Sequence, residues 1–290
     1  MGNVFAEETA VRRLEAGRYE ATVGEVWNLR PLPQGGVITA MALRAMAEEL
    51  GDASQRLRTM HTAFVAQVAD GRVVIDVDTL RRGRSMSHLR AEVRNEGAGH
   101  GHTTTAVFGA SRRGFSFTDI APPAEVPPPD DCPSWRDPPP EGMESFEPMR
   151  FWSERVEGRA VLGHAPWEDY EPDRAETAMW YRMDDPPILD DGTFDPLALV
   201  VLIDTMPGAV AEKVGDNRSR RNWFAPSVDL TVHLLDECRS PWVLAHNRAR
   251  HAGDGYASAE MMLWDCGPEG RDAPRLVAYG TQLFLFSFLD

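Results

Sequence analysis

The sequence is poor in the features that mark a chain for export, for metal or for nucleic acid. Cysteine occurs three times, at Cys132, Cys238 and Cys266, widely spaced and without a CxxC or Cys/His cluster. Neither a disulfide framework nor a structural zinc site is expected from that spacing, only unpaired reduced thiols. Lysine is almost missing: Lys213 is the single one among 30 basic residues, so bidentate anion contacts have to come from arginine. No apolar run approaches the roughly 20 residues of a membrane span. The stretch Met1 to Ala16 has no signal-peptide core, and Ala6 stands where a myristoylation signal needs Ser or Thr. A cytoplasmic protein without a membrane partner is expected. Positive charge is the minority sign, with a formal net charge of −15. A field of that sign repels phosphate backbones, so no nucleic-acid partner is expected either.

What is present is a duplicated pattern. The 290 residues suffice for one large domain or two modest ones. Between Pro122 and Pro140 there are nine prolines in nineteen residues, which excludes a helix or a central strand. The stretch reads as an extended, partly polyproline linker. The boundaries drawn from it are a first unit over 1–116, a linker over 117–150 and a second unit over 151–290. In the first unit Gly17 to Asn28 alternates as a strand, and Gln34-Gly35-Gly36 breaks the chain. Val37 to Leu50 then has helical spacing. Four strand-like runs follow: Thr59 to Val68, Arg72 to Leu80, Ser85 to Asn95 and His102 to Ala110. In the second unit Thr177 to Met183 is the strand, and Asp195-Pro196 opens a helix running from Leu197 to about Val214. Four runs follow again: Phe224 to Leu235, Trp242 to His251, Tyr256 to Trp264 and Arg275 to Phe286.

The second helix, with Leu197 to Ile203 entirely apolar, must be enclosed. An antiparallel sheet wrapped around a long central helix is the hotdog architecture. Two copies predict an α+β tandem, or double, hotdog.

The residues also carry a family resemblance. His61-Thr62-Ala63-Phe64, the run Val77 to Ser87 with its Leu80-Arg81-Arg82-Gly83-Arg84-Ser85 core, and Thr105-Ala106-Val107-Phe108-Gly109 resemble the N-terminal half of the acyl-CoA thioesterase II family. Gln34-Gly35-Gly36 does too. The Asp204 helix, Ser227-Val228-Asp229-Leu230-Thr231-Val232-His233 and Gln282 resemble its C-terminal half. The likeness covers most of the chain outside the linker, and the order and spacing of the motifs carry it. It implies hydrolysis of acyl-CoA, or of an acyl-carrier thioester, to the free acid. It implies no cofactor and no metal. In that family a water is held by an Asp, a Thr or Ser, and a Gln; by position these are Asp204, Ser227 and Gln282. A homo-oligomer is left open.

Thioester hydrolysis needs an activated water and a stabilised oxyanion. Asp204 stands in an otherwise apolar helical stretch, where burial of a carboxylate costs several kcal/mol unless it is hydrogen-bonded, and raises its pKa toward that of a general base. The alternative is that Asp204 caps a helix restarted after Pro207. Ser227 is a water-positioning hydroxyl or a strand-edge residue, and Gln282 a buried donor or an exposed amide on the last strand. Gly35 and Gly36 offer backbone N–H groups to a substrate carbonyl, or form a plain helix entry. Arg82 and Arg84, with Arg81, bind substrate phosphates or form a solvated strand face. The first helix has no carboxylate between Val37 and Met46, its first acids being Glu48 and Glu49, so a single site in the second half is expected. No Gly-x-Ser-x-Gly elbow occurs, which disfavours a serine nucleophile. Two rivals remain: an enoyl-thioester hydratase, weakened because no His follows Asp204 before His233, and a non-catalytic acyl-thioester-binding protein.

Overall fold

The computed structural model describes residues 3–29, 32–139, 141, 149–165, 168, 170–215 and 223–288. Met1, Gly2, Pro140 and residues 142–148 of the expected linker lie outside them. The first half contains α1 (Val4–Glu8), β1 (Arg12–Glu15), β2 (Arg18–Val23), α2 (Gly35–Leu50), β3 (Arg56–Phe64), β4 (Gly71–Arg81), β5 (Met86–Asn95) and β6 (His102–Gly109). The second half contains α3 (Arg150–Glu154), β7 (Val156–Leu162), β8 (Glu176–Met183), α4 (Pro196–Ile203), α5 (Gly208–Val214), β9 (Trp223–Phe224), β10 (Ser227–Leu234), β11 (Val243–Gly253), β12 (Tyr256–Asp265), β13 (Arg275–Leu285) and β14 (Ser287–Phe288).

Twelve strands form one antiparallel sheet in the order β1-β2-β4-β5-β6-β3-β10-β13-β12-β11-β8-β7. The order reads alike from both ends toward the central pair β3–β10. In that pair His61 faces Thr231, Met60 faces Val232 and Thr62 faces Leu230. Met60 and Leu230 are therefore equivalent positions about the centre. Met60 pairs onward with Ala106 on β6, and Leu230 with Gln282 on β13. The match extends to irregularities: β3 is bulged between Leu57 and Thr59, and β10 between Ser227 and Asp229.

Each helix start has a local cause. The Gln34 side chain accepts the Val37 N–H at 3.1 Å, and α2 ends where Gly51 turns left-handed at φ 58°. Asp195 accepts the Leu197 N–H at 2.9 Å, with Pro196 in the first turn of α4. Both helices are buried on nearly every side: Val37, Ile38, Met41, Leu43 and Met46 on α2, and Leu199 to Ile203 on α4. They run antiparallel, so Gly36 at the start of α2 meets Asp204 past the end of α4, while Arg44 reaches Asp195. Truncating a fully buried side chain such as Leu199 to Ala costs about 2–5 kcal/mol.

The structure corrects four sequence expectations. Two strands, not one, precede each helix: β1 is missed because its four residues are all exposed and carry no alternation, and β7 precedes β8. The run from Gly17 to Asn28 ends as a strand at Val23 and continues as a 3₁₀ turn over Glu25–Trp27. The helix expected over 197–214 is two, because Pro207 removes an N–H and breaks the ladder after Ile203. The run from Phe224 to Leu235 is split at Pro226, so that β9 pairs with β14 outside the main sheet.

The proline-rich segment is a strap as well as a connection. Val126 and Cys132 pack over Trp180, Trp242, Leu244 and Trp264 on the outer face of the second half. Its carbonyls are put to use: Pro127 accepts from the Trp180 indole at 2.9 Å, Pro129 from Arg159 at 2.8 Å and Pro133 from the Ala160 N–H at 3.1 Å. The outer face of the first half is instead covered by ion pairs such as Arg94–Asp76 and Arg90–Asp78. The three cysteines are buried and unpaired, and burial pushes the Cys238 and Cys266 thiols up to about 12.

Candidate functional site

The interruption between α4 and α5 is what exposes a functional side chain to its partners. Asn247 on β11 donates to the Met206 carbonyl at 2.8 Å, and Thr205 donates to the Leu202 carbonyl at 2.8 Å. These bonds hold the four residues between the helices in a fixed turn. Asp204 is the first residue past α4, at its C-cap, and is 6% exposed. It does not cap α5, whose first turn follows Pro207 without a side-chain cap. Its carboxylate points across to the start of α2, where Oδ2 accepts the Gly36 N–H at 2.7 Å. Gln34 reinforces the junction, donating to the Asp204 carbonyl at 3.1 Å.

Ser227 and Gln282 reach the other carboxylate oxygen. Ser227 Oγ donates to Asp204 Oδ1 at 3.3 Å, Gln282 Nε2 donates to the same oxygen, and Gln282 Nε2 lies 2.8 Å from Ser227 Oγ. Gln282 is 2% exposed and faces inward, because β13 alternates and this position falls on the core side. Its Oε1 is buried and has no hydrogen-bond partner among the described residues. Burial drives the Asp204 pKa up to about 6, while the Gly36 N–H, the Gln282 amide, the Ser227 hydroxyl and the Gly35 N–H each pull it down. Among the described residues no cation pairs with this carboxylate.

Close approach requires the two glycines. A Cβ on Gly35 would overlap the Phe64 ring, and one on Gly36 would lie 3.0 Å from Val201 Cα. The sequence expectation offered their N–H groups to a substrate carbonyl; in the structure the Gly36 N–H is directed at Asp204. The structure thus brings together Asp204, Ser227, Gln282, Gly35 and Gly36. Arg82 and Arg84 do not join them. Arg82 bonds the Leu50 carbonyl at the far end of α2, about 20 Å from Gly36 at 1.5 Å per residue, and Arg84 is exposed. Gln34, Phe64 and Asn247 were not legible as site neighbours, since nothing local in the sequence marks a contact made across the fold. Among the described residues no three His, Cys, Asp or Glu side chains gather to hold a metal ion.

The two halves match separate family models. Residues 23–109 match the acyl-CoA thioesterase N-terminal domain, and residues 129–286 the acyl-CoA thioesterase C-terminal domain. The chain belongs to the acyl-CoA thioesterase family. This bears out the resemblance drawn from the motifs. Among solved structures, the chain is similar to a protein of unknown function with a hot dog fold from Alicyclobacillus acidocaldarius, at 24% identity and TM-score 0.80 over 99% of each chain. It is similar to acyl-CoA thioesterase II TesB2 from Mycobacterium marinum, at 23% identity and TM-score 0.74 over 98% of each. The tesB protein of Mycobacterium avium subspecies paratuberculosis aligns at 17% identity and TM-score 0.72, again over 98% of each. At these identities the likeness establishes the hotdog fold and no more. No curated protein matches the chain. No helix among the described residues is long and apolar enough to cross a membrane.

Proposed function

We propose that this thioesterase-family protein hydrolyses acyl-CoA thioesters, with Asp204 as general base and Ser227 and Gln282 as the groups that orient its water. The observation that supports this most is the mutual hydrogen bonding of these three side chains at the buried start of α2. A water lodged among them gives a proton to Asp204 as its oxygen attacks the thioester carbonyl carbon. The C–S bond then breaks, and Asp204 returns the proton to the departing CoA sulfur. An Asp with a pKa near 6 is ionised at neutral pH yet basic enough to accept that proton. As the carboxylate is protonated, its hold on the Gly36 N–H and the Gln282 amide weakens. Those donors become free to meet the negative oxygen that forms on the substrate at the same moment.

We also infer that the chain is two hotdog units in tandem, over 1–116 and 151–290, joined by 117–150. The sheet order that reads alike from both ends supports this. The decisive experiment is a thiol-release assay over a panel of acyl-CoA chain lengths, on the wild type and Asp204→Ala. The wild type is expected to release thiol, and the variant to be slowed by about a thousandfold. No release by the wild type at any chain length overturns the hydrolase reading. A fully active variant overturns the site assignment alone.

A further inference from the structure

Strand β10 enters the site through its bulge. Ser227 faces Phe284 and Asp229 faces Leu283, so Val228 is one residue more than β13 can pair. Such a bulge re-aims side chains, and here it decides which way Ser227 projects. Leu285 donates its N–H to the Pro226 carbonyl at 3.1 Å, on the near side of the bulge. The next N–H of β13 on that edge, at Leu283, donates to the Asp229 carboxylate at 2.9 Å. One side chain therefore ties the two strands together where their register slips. It lies two residues from Ser227 and bonds the backbone of the residue next to Gln282.

The first half supplies a control. Its equivalent bulge lies between Leu57 and Thr59, with Leu57 facing Phe108 as Ser227 faces Phe284. There Thr59 stands in place of Asp229, Leu57 in place of Ser227 and Ala106 in place of Gln282. The bulge is common to both halves; the carboxylate occurs only where there is a polar pair to align.

We propose that Asp229 is a positioning residue for hydrolysis: by accepting the Leu283 N–H it locks the β10 bulge and keeps the Ser227 hydroxyl and the Gln282 amide on one point. The inference rests on the thioesterase reading of the site. A hydrogen bond to a charged acceptor is about twice as strong as a neutral one, and a misplacement near 1 Å can cost a hundredfold in rate. Asn keeps the Oδ1 acceptor and Ala removes it, so the two variants separate positioning from mere bulk.

The test compares the wild type, Asp229→Asn and Asp229→Ala by kcat, KM, melting temperature and amide hydrogen exchange at Leu283. Asp229→Ala is expected to lower kcat about 30- to 100-fold with KM changed less than about threefold, and to speed Leu283 exchange. Asp229→Asn is expected to keep kcat within about threefold and to keep the amide protected. If Asp229→Ala does not fold, Asp229→Thr, which copies the first half, replaces it with the same expectations. A side-chain deletion that leaves kcat intact, or an Asn variant as slow as the deletion, overturns the proposal. Leu283 exchange reads the tie without turnover, so a wild type without thioesterase activity defeats the functional reading while the exchange data still decide whether the tie exists.

Discussion

Each central helix begins beside a buried aspartate, and the two aspartates are treated differently. At the start of α4, Asp195 caps its own helix and is ion-paired with Arg44 at 3.1 Å, a guanidinium that also bonds Thr9. At the start of α2, Asp204 arrives from the opposite helix and meets only neutral donors among the described residues. Both helix starts present N–H groups that favour an anion. In one the charge is balanced by a cation and is inert structure. In the other it is left unbalanced in a desolvated place, where its pKa rises. Around the first, Leu57 and Ala106 occupy the positions that Ser227 and Gln282 hold around the second. A duplicated frame thus yields one polar site and one apolar counterpart, and four or five side chains make the difference.

The largest effect is expected from removing the unbalanced charge. Asp204→Asn should lower kcat by about a thousandfold, read in the thiol-release assay. It should also stabilise the fold at high pH. Because the folded-state pKa of about 6 lies above the ordinary 3.8, Asp204 favours folding in its protonated form. That advantage is complete below pH 3.8 and is lost as pH rises through 6. The amide avoids the loss, so denaturant titration should show the variant gaining up to about 3 kcal/mol on the wild type at pH 8 and almost nothing at pH 4. A gain equal at both pH values would mean that the carboxylate is not the strained group.

Gly280→Ala should come next. A Cβ there would sit 2.6 Å from Ile203 Cγ2, one residue before Asp204, and 3.0 Å from the Thr231 carbonyl. The counterpart in the first half is Thr104, whose hydroxyl bonds Thr62 at 2.8 Å, so that half accepts a side chain where the second cannot. A fall in kcat of about 10- to 100-fold with a modest loss of melting temperature is expected. An unchanged rate would show that Asp204 tolerates displacement of α4.

A smaller effect should follow from pH alone. The wild-type kcat/KM should rise with pH and level off above about 7, standing about tenfold below its plateau at pH 5, because Asp204 must be ionised to accept a proton. A flat profile between pH 5 and 8 would remove Asp204 as the base. The smallest effect is expected at Arg84→Ala, which should change kcat/KM less than about twofold because Arg84 is exposed and remote from Asp204. A tenfold rise in KM would instead restore the phosphate-binding role that the sequence suggested for the Arg82–Arg84 turn.

The long runs that follow the two helices were readable because strands such as β5, β6 and β13 alternate between buried and open positions, and because glycine turns such as Asp70-Gly71 and Gly253 to Gly255 punctuate several of them. Strand β1 was not, because a short edge strand with both faces solvated leaves no periodic trace. Asp204 could be singled out because a lone acid in Leu197 to Ile203 and beyond conflicts with its surroundings. Ser227 and Gln282 came only through resemblance, since a Ser beside Pro226 and a Gln in an apolar strand have ordinary local explanations. Asp229 lies in the same motif as Ser227, but nothing local marks a role for it, because its value depends on a bulge and a bulge is a property of two paired strands.

The sequence by itself determined the repeated order of strand, helix and strands, the two enclosed helices, the proline-rich segment between them and the one misfit carboxylate, each of which depends on residues close together in the chain. The tertiary structure decided where that carboxylate points, which N–H groups receive it, and that Ser227 and Gln282 close on it while Arg82 does not. Those contacts join residues 23 to 168 positions apart. Hydrophobic periodicity specifies which face of an element is buried, but only the packing of α2 against α4 and of β10 against β13 sets which buried polar groups share a point.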